Sequence, residues 1–360
     1  MSFSGTLGIV GPLPPPAGGM ATQTRQLSDL MSAEGIDVTL VQNNKPYSPS
    51  VVAKLKGIRA LFRLLPYLWD VWRLAGKVDV IHLMANSGWS WQLFSAPVIW
   101  AGWFRKTPVI VNYRGGEAQA YFSLSFSRVK PTLKRAAKIV VPSAYLQQVF
   151  SGFGVEVQVI PNIINLERFK PVDRLAEKPA LKLIITRNLE AIYGIETAIE
   201  AFAMARKDIP DIELHIAGSG PQQRQLEQLV KKQGLEGKVF FVGRLDAREI
   251  VEFYHSADAM LNPTTVDNMP NSVLESLACG VPVITTDVGG IPFIVEHEAT
   301  ALMVPAGDSA GMARQMVRLF EDPGLRQKLV TNGLSAVQPY AWPRVKQQWL
   351  NMYESQRVSA

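Results

Sequence analysis

The sequence predicts an α/β protein of two doubly wound domains that face each other across a cleft. The length of 360 residues suits two domains of ordinary size. Short apolar runs alternate with amphipathic stretches long enough for helices, which is typical of an open, mostly parallel sheet covered on both faces. This alternation stops in a polar, proline-containing segment and then starts again, which indicates a second domain.

The first half contains six short apolar runs that predict buried strands. They are residues 7–10, 38–41, 80–83, 109–111, 139–141 and 157–160. The polar segment 161–180 follows them and predicts a linker. We therefore expect residues 1–166 to form the first domain.

The second half repeats the pattern. Strands are predicted at residues 181–185, 212–217, 238–242, 259–262 and 281–285, and helices at 195–206 and 221–234. The second of these helices has Pro221 at its start and Gly234 at its end, where each residue is favoured. We expect residues 167–341 to form the second domain, with its ligand at the carboxyl ends of the strands.

Composition excludes several classes of protein. With 47% hydrophobic and 19% charged residues, the chain can build cores and is not disordered. One cysteine and four scattered histidines argue against disulfides and zinc, favour a cytoplasmic setting and predict no metal site. We expect no secretory signal and no transmembrane helix.

Charge is divided unevenly between the halves. Residues 1–180 hold 20 basic and 10 acidic residues, whereas residues 181–360 hold 17 and 21. A basic first half suits a polyanion or an anionic lipid. No recognised nucleic-acid motif accompanies it, so we expect no nucleic-acid partner.

Three glycine-containing turns are candidates for phosphate contact. Gly18 and Gly19 precede a predicted helix, where free amides attract anions, the alternative being a plain turn. Residues 218–220 read G-x-G without the third glycine of a dehydrogenase fingerprint. Residues 289–290 are most simply a tight turn.

The segment 263–292 is the most informative. Pro270 fits the first turn of a helix that runs to Cys279 and is closed by Gly280. Amides of about residues 271–273 would then be unpaired and, with the helix dipole, would form a diphosphate site without metal. Glu275 is placed to bind a ribose diol, and Asp267 to bind sugar hydroxyls. The alternative is a capped helix with two solvated acids.

Asp267 to Glu275 resembles the E-x7-E element of the family 4 retaining glycosyltransferases, with Asp replacing the first Glu. Residues 160–171, 186–202, 216–221 and 278–292 also resemble that family. The resemblance implies a GT-B fold with two Rossmann-like domains, the second binding most of a nucleotide sugar. It also implies that residues 342–360 pack back on the first domain.

The resemblance further implies roles for individual residues. Asp267, Arg187 and Glu275 are the expected catalytic residues, with Arg187 on the diphosphate and Glu275 on the ribose. A structural ion pair at a strand end is the alternative for Arg187. The expected donor-binding residues are Gly18, Gly19, Arg244, Leu245, Asn268, Met269, Pro270, Asn271, Ser272 and Val273. The backbone of the loop that holds Arg244 and Leu245 is expected to bind the base of the nucleotide.

Two positions depart from the family pattern. Tyr193 stands where the family usually has a lysine, so one cationic diphosphate contact is absent. Arg114 stands where a histidine is often found near the sugar. Its guanidinium could bind donor phosphate or an anionic sugar or acceptor, or form an ion pair with Glu117.

A basic, tryptophan-rich stretch predicts contact with a membrane. In residues 54–77, an apolar set recurs at spacings of three and four, and six basic residues accompany one acidic residue. The set is Leu55, Ile58, Phe62, Leu65, Trp69 and Trp72, whereas Lys56, Arg59 and Arg63 fall on another face. The alternative is that the apolar face packs on the sheet. Pro66 is expected to kink or divide the helix.

We therefore expect a metal-independent retaining transferase that needs no cofactor and uses a nucleotide-diphosphate sugar. Its acceptor would be a glycan, lipid-linked, for surface polysaccharide, and the enzyme would be cytoplasmic and peripheral on the inner face of the membrane. The absence of D-x-D supports stabilisation of the leaving group by amides and Arg187. Alternatives are a nucleotide-sugar epimerase of similar fold and an inactive nucleotide-sugar-binding protein.

Overall fold

The computed structural model describes residues 3–15, 18–46, 59–172 and 181–358. Contacts divide the chain into two compact units. Unit 1 comprises Met1–Ile163 and Trp342–Ala360, and unit 2 comprises Ile164–Ala341. The division falls at residue 163, slightly before the position of 166 predicted from the sequence.

Unit 1 is built on a parallel six-stranded sheet with the order β2-β1-β3-β4-β5-β6. Its strands are β1 (Thr6–Gly11), β2 (Asp37–Gln42), β3 (Val80–Ala85), β4 (Val109–Tyr113), β5 (Lys138–Val141) and β6 (Gln158–Val159). Its helices are α1 (Gly19–Ala33), α2 (Arg59–Leu74), α3 (Gly88–Ser90), α4 (Ala96–Arg105), α5 (Ala118–Leu133) and α6 (Ala144–Gly152), with a π-helical turn, Trp91–Ser95, joining α3 to α4.

Unit 2 has a second parallel six-stranded sheet, with the order β12-β11-β10-β7-β8-β9. Its strands are β7 (Leu181–Thr186), β8 (Ile212–Ala217), β9 (Val239–Gly243), β10 (Ala259–Asn262), β11 (Val283–Thr286) and β12 (Leu302–Val304). Its helices are α7 (Ile195–Ala205), α8 (Gln223–Lys232), α9 (Glu249–Ser256), α10 (Asn271–Ala278), α11 (Ser309–Glu321) and α12 (Pro323–Ala336). The last helix, α13 (Trp342–Val358), belongs to unit 1.

Both units are therefore Rossmann-like, as the sequence predicts. Each sheet has one point at which the strand order reverses, between β1 and β3 in unit 1 and between β7 and β10 in unit 2. Ligands of open α/β sheets bind outside the carboxyl ends of the strands at such a point. In unit 2 the loops that leave β7 and β10 are thus the first place to look for a site.

The first part of the predicted linker is not a linker. Ile164 and Phe169 are buried in the core of unit 2, where Phe169 lies edge-on to Tyr254. The Ile164 amide also donates to the Tyr340 carbonyl at 3.0 Å. Polar residues and prolines are numerous in this segment, but its large apolar side chains supply enough buried area to fix it. Residues 173–180 lie outside the described residues.

The aromatic face of α2 points away from the sheet. The side chains of Tyr67, Val71 and Leu74 are buried against unit 1, whereas a second set on the same helix is exposed. That exposed set is Phe62, Leu65, Trp69 and Trp72. The alternative in which these four residues pack on the sheet is therefore wrong. Leu55, Lys56 and Ile58, and the side chain of Arg59, lie outside the described residues.

The helix α2 continues through Pro66, so the expectation that this proline divides it is wrong. In the described parts of the chain, no helix combines the length and apolar character that a membrane crossing requires.

The C-terminal helix α13 is anchored in unit 1 by aromatic and polar contacts. Trp349 and Tyr353 are buried with α1 on one face of the sheet. The Tyr353 hydroxyl lies 2.8 Å from Nδ1 of His82, and Nε2 of His82 lies 3.1 Å from Nδ2 of Asn112. Burial lowers the pKa of His82 to about 3, so the ring is neutral and both nitrogens require partners.

We expect Tyr353→Phe to destabilise unit 1 by about 1–3 kcal/mol, because it leaves a buried nitrogen of His82 without its partner. Chemical denaturation followed by the circular dichroism of the whole chain measures this loss. Tyr145→Phe, a partly exposed tyrosine of the same unit, is the control and should change stability by less than about 0.5 kcal/mol. Equal stability of the two variants would contradict the anchoring role.

Candidate active site

Arg187 and Asp267 meet where the strand order of unit 2 reverses. Arg187 directly follows β7, and Asp267 lies in the loop that follows β10. An Nη2 hydrogen of Arg187 is donated to Oδ2 of Asp267. Because β7 and β10 are paired in parallel, their carboxyl ends place both side chains at one edge of the sheet.

A second bond fixes the plane of the Arg187 guanidinium. Its Nε donates to Oδ1 of Asn262 at 3.0 Å, and the Nδ2 of Asn262 donates to Oγ1 of Thr285 at 2.9 Å. Asn262 is fully buried at the end of β10, so this support is rigid. Within the described residues, Nη1 of Arg187 makes no hydrogen bond, so donors remain for an anion. The structural ion pair and a phosphate contact are thus compatible.

Tyr193 packs on Arg187 from one side. The Cζ atom of Arg187 lies 5.0 Å from the centre of the Tyr193 ring, which is a cation–π distance. Burial raises the pKa of Tyr193, so it is a neutral phenol there. The position that usually holds a lysine in the family thus supplies an aromatic surface that orients the guanidinium and adds no positive charge.

The loop that holds Asp267 is supported by the Gly289–Gly290 turn. The Gly290 amide donates to the Asp267 carbonyl at 2.9 Å, and Gly289 has a φ of +55°. A Cβ atom on Gly289 would lie 2.1 Å from the Asp267 carbonyl oxygen, so only glycine fits. Oδ1 of Asp267 also accepts from the Asn268 amide at 2.9 Å. The turn predicted at 289–290 therefore helps to fix the acidic loop.

Helix α10 begins as predicted but leaves fewer amides free. Pro270 is its N-cap residue, Cys279 its C-cap residue, and Gly280 follows with a φ of +65°. The Val273 amide donates to the Pro270 carbonyl at 3.2 Å, so the expectation that this amide is unpaired is wrong. A short turn of the 3₁₀ type satisfies it.

The side chains around the start of α10 divide into two groups. Met269 and Val273 are buried in the apolar core, so either could reach a donor only through its main chain. Asn268 and Ser272 are buried polar residues and Asn271 is partly exposed. The Ser272 hydroxyl is buried without a hydrogen-bond partner among the described residues, which makes it a candidate ligand contact.

Glu275 is held one turn further along α10 by Tyr254. The Tyr254 hydroxyl donates to Oε2 of Glu275 at 2.9 Å and lies 2.9 Å from Oγ1 of Thr186. Burial raises the pKa of Glu275, while the Tyr254 bond and the charges of Arg168 and Arg187 oppose the rise. Glu275 is thus neither a freely solvated acid nor remote from Arg187.

Three residues of this site escaped the sequence analysis. Tyr254 and Asn262 carry the bonds that orient Glu275 and Arg187, and Arg168 is the cation with the largest effect on the pKa of Glu275. Arg168 donates to the Ala247 carbonyl. Only its place in the segment 160–171 could have indicated Arg168. A tyrosine in an amphipathic helix and an asparagine at the end of a strand carry no such signal.

Two family models together match nearly the whole chain. The model described as Glycosyltransferase Family 4 matches residues 17–168, and the model described as Glycosyl transferases group 1 matches residues 167–335. The chain belongs to the family 4 glycosyltransferases. This family membership confirms the family resemblance that the sequence indicated, and it makes the protein a glycosyltransferase at the level of the family.

Individual relatives agree with the assignment. A phosphatidyl-myo-inositol mannosyltransferase of Mycobacterium leprae is 25% identical and matches 95% of this chain and 94% of its own. A glycogen synthase of Mycobacterium tuberculosis is 26% identical over 86% of this chain and 84% of its own.

Solved structures share the fold. A sucrose-phosphate synthase of Thermosynechococcus elongatus has a TM-score of 0.81, at 22% identity over 99% of this chain and 100% of its own. Anabaena HepE in complex with UDP has a TM-score of 0.76, at 18% identity over 97% of this chain and 100% of its own. The fold of this family 4 transferase is therefore GT-B.

The predicted base-binding residues of this transferase follow β9. The Nε of Arg244 donates to Oγ of Ser219 at 2.6 Å, which joins the loops after β8 and β9. Leu245 packs partly against the core. Gly218, with a φ of +147°, lets these loops approach Arg187, since a Cβ atom there would lie 1.9 Å from the Arg187 carbonyl oxygen. Base contact by Arg244 and Leu245 remains a prediction.

The predicted residues of unit 1 lie at the carboxyl ends of its strands. Helix α1 begins at Gly19 with Gly18 as its N-cap residue, and a Cβ atom on Gly18 would meet nothing within 4 Å. Arg114 follows β4 and donates to Oδ1 of Asn162. Burial lowers the pKa of Arg114 to about 10, so it is still charged at neutral pH. Contacts of these residues with a ligand remain predictions.

We expect Glu275→Gln to raise the midpoint of thermal unfolding of the ligand-free protein at pH 7.5 by about 1–4 °C. Burial raises the pKa of Glu275 in the folded state. The folded chain therefore binds a proton that the unfolded chain releases, and stability falls as pH rises from the ordinary value of about 4.3 through the folded value.

Thermal unfolding between pH 4.5 and 8 measures the effect, which should shrink toward the acidic end. Glu236→Gln, at an exposed glutamate of unit 2, is the control and should shift the midpoint little at any pH. A lower midpoint for Glu275→Gln than for the wild type at pH 7.5 would contradict the prediction, because it would show that burial of the Glu275 carboxylate does not destabilise the folded protein.

Proposed function

We propose that this family 4 transferase moves a sugar from a nucleotide-diphosphate sugar to a glycan acceptor, with retention of anomeric configuration and without a metal ion. One observation carries the proposal: Arg187, Asp267 and Glu275 lie together where the strand order of unit 2 reverses. A nucleoside diphosphate has the matching groups, which are phosphate oxygens for a guanidinium and a diol for a carboxylate. The bound UDP and UDP-glucose of Anabaena HepE support this class of donor.

The leaving group requires stabilisation of negative charge. As the bond between the anomeric carbon and the phosphate oxygen breaks, its electron pair passes to the diphosphate. The free Nη1 of Arg187, the Ser272 hydroxyl and the dipole of α10 provide fixed positive ends there. The acceptor oxygen bonds to the same face of the anomeric carbon, and its proton passes to a phosphate oxygen. This step needs no nucleophile from the enzyme.

No group of three or more His, Cys, Asp or Glu residues in the described ranges could hold a metal ion. We rest the proposal of a metal-independent reaction on the donors named above. Retained activity in EDTA is its direct test.

Arg187→Lys should reduce kcat/KM about 10²–10³-fold, because lysine lacks the planar fork that binds Asn262 and Asp267 while donating to phosphate. A thermal-shift screen of nucleotide sugars selects the donor, and release of nucleoside diphosphate then measures turnover with lipid-linked glycans as acceptors. Arg224→Lys, at an exposed arginine of the same unit, is the control and should keep wild-type kinetics.

Three outcomes would contradict parts of this proposal. Loss of turnover in EDTA with recovery in magnesium would contradict the metal-free reaction. Inversion at the anomeric carbon, followed by NMR, would contradict retention. Donor binding without turnover would favour an inactive binding protein, for which Tyr193 in place of the family lysine and the pairing of Arg187 with Asp267 are the specific observations.

We also propose that the acceptor is lipid-linked, that it serves surface polysaccharide synthesis, and that unit 1 binds the inner face of the cytoplasmic membrane. The Mycobacterium leprae relative is a phosphatidyl-myo-inositol mannosyltransferase, which supports a lipid acceptor. Exposed large apolar side chains of α2, α3 and α4, most of them aromatic, support a membrane-binding surface. They are Leu65 (62% exposed), Trp69 (62%), Trp72, Trp89 (78%), Trp103 and Phe104 (63%).

Basic residues are interleaved with these aromatic side chains. The guanidinium carbon of Arg105 lies 5.1 Å from the ring centre of Trp72, which joins α4 to α2. That of Arg135 lies 4.0 Å from the ring centre of Trp100 and 5.1 Å from that of Trp103. Aromatic rings with adjacent cations suit the headgroup level of an anionic bilayer.

Replacing Arg105 and Lys106 together by glutamine should weaken binding to phosphatidylglycerol-containing vesicles about 25-fold, at about 1 kcal/mol for each basic residue near the surface. Vesicle flotation at low salt measures the bound fraction. Replacement of Lys231 and Lys232 by glutamine is the matched control, since this pair also ends a helix but lies in unit 2. Equal loss in both variants, or wild-type protein that does not float, would exclude this membrane surface.

A further inference from the structure

We propose that Tyr254 is a positioning residue that fixes the Glu275 carboxylate for a ribose diol and so makes the donor site select ribonucleotides over deoxyribonucleotides. The inference rests on the proposed nucleotide-sugar function. It assigns a role to a residue that contacts no part of a donor.

The hydroxyl of Tyr254 lies at the centre of three polar groups. It is 2.9 Å from Oε2 of Glu275, 2.9 Å from Oγ1 of Thr186 and 3.3 Å from the Ser272 carbonyl. Tyr254 belongs to α9. Its ring is fully buried and lies edge-on to Phe169, so the hydroxyl cannot move without disturbing the core. This geometry defines one orientation for the carboxylate.

The direction of each bond follows from chemistry. A tyrosine hydroxyl has one proton, and the carboxylate is the strongest acceptor of the three groups. Tyr254 therefore donates to Glu275, and its oxygen accepts from the Thr186 hydroxyl. Burial also raises the pKa of Tyr254, which keeps this proton in place at neutral pH.

The remaining capacity of Glu275 is what a ribose requires. Oε1 of Glu275 makes no hydrogen bond within the residues that the structure describes, and the side chain is partly exposed. A carboxylate held by one oxygen keeps the other free, with a spare lone pair on the first. A diol donates two hydroxyl hydrogens, whereas a deoxyribose donates one. The preference for ribonucleotides over deoxyribonucleotides therefore depends on how firmly the Glu275 carboxylate is held in one orientation.

Thr186 links this carboxylate to the diphosphate side of the site. Thr186 and Arg187 are consecutive residues at the end of β7, so Glu275 and Arg187 are positioned from the same strand. The bonds from Thr186 to Tyr254 and from Tyr254 to Glu275 thus set the spacing between ribose and diphosphate contacts. A misplaced carboxylate would weaken ribose binding specifically, while diphosphate contacts would persist.

The test compares the binding of UDP, GDP and ADP with that of their 2′-deoxy and 3′-deoxy counterparts by calorimetry. Tyr254→Phe keeps the ring and removes the hydroxyl. We expect it to weaken binding of the preferred ribonucleotide about five- to tenfold, the equivalent of one net hydrogen bond between the diol and a carboxylate that is no longer fixed, and to leave the deoxy forms nearly unchanged. The ratio between the two forms should fall by the same factor.

A second variant and a control keep the test decisive. Thr186→Val should reduce the ratio in the same direction by a smaller factor, and it decides the question if Tyr254→Phe does not fold. Tyr340→Phe, at a partly buried tyrosine of the same core, should leave the ratio unchanged. Melting temperatures of all variants separate a binding defect from general destabilisation.

The outcomes distinguish this inference from the proposed function. If Glu275→Gln retains full discrimination between ribo and deoxy forms, the proposed ribose site is wrong. If Glu275→Gln loses discrimination while both Tyr254→Phe and Thr186→Val keep it, only the positioning role is overturned. Equal weakening of both forms by Tyr254→Phe would also overturn that role, because it would indicate a structural effect.

Discussion

The candidate site depends on the carboxyl end of one strand. Thr186 and Arg187 are neighbours at the end of β7, and each starts a separate hydrogen-bond path. Thr186 reaches Glu275 through Tyr254, whereas Arg187 reaches Asp267 directly and Asn262 through its Nε. Helix α10 and the acidic loop therefore take their places from the same two residues.

The surrounding backbone makes this arrangement rigid. The β8 loop approaches Arg187 at Gly218, and the Gly289–Gly290 turn lies directly beneath the Asp267 loop. Larger side chains at these glycines would meet carbonyl oxygens, so the loops would have to move apart. Fixed dipoles stabilise a developing charge without the cost of reorganisation, which a mobile loop would incur. The glycines that sequence patterns assign to simple turns thus hold the Arg187 and Asp267 loops in place through packing.

Most of the fold could be predicted from the sequence, because buried parallel strands leave continuous apolar runs. Residues 212–217 and 259–262 match β8 and β10, and Gly280 has the positive φ expected of a residue that closes a helix. Which face of α2 is exposed could not be predicted in the same way. Both its faces are apolar, and periodicity defines faces without showing which one meets the sheet.

The site was predictable only in part, for a related physical reason. Asp267 and Glu275 could be selected because they flank the predicted start of a helix, and Arg187 because the family resemblance implies its role. Tyr254 could not, since a tyrosine in an amphipathic helix has the pattern of an ordinary core residue, and only tertiary contacts show its hydroxyl on Glu275. The 3₁₀-type bond of Val273 is likewise a detail of local geometry.

The pairing of Arg187 with Asp267 determines how the site must treat an anion. A guanidinium with only 12% of its side chain exposed would be costly to keep alone, and Asp267 offsets that cost. A diphosphate would add negative charge to an already neutral pair, and Tyr193 contributes none of the missing positive charge. We expect the unpaired Nη1 of Arg187, the Ser272 hydroxyl and the dipole of α10 to supply part of the balance. Such donors are effective only when water is excluded, which explains why so much of this polar network is buried.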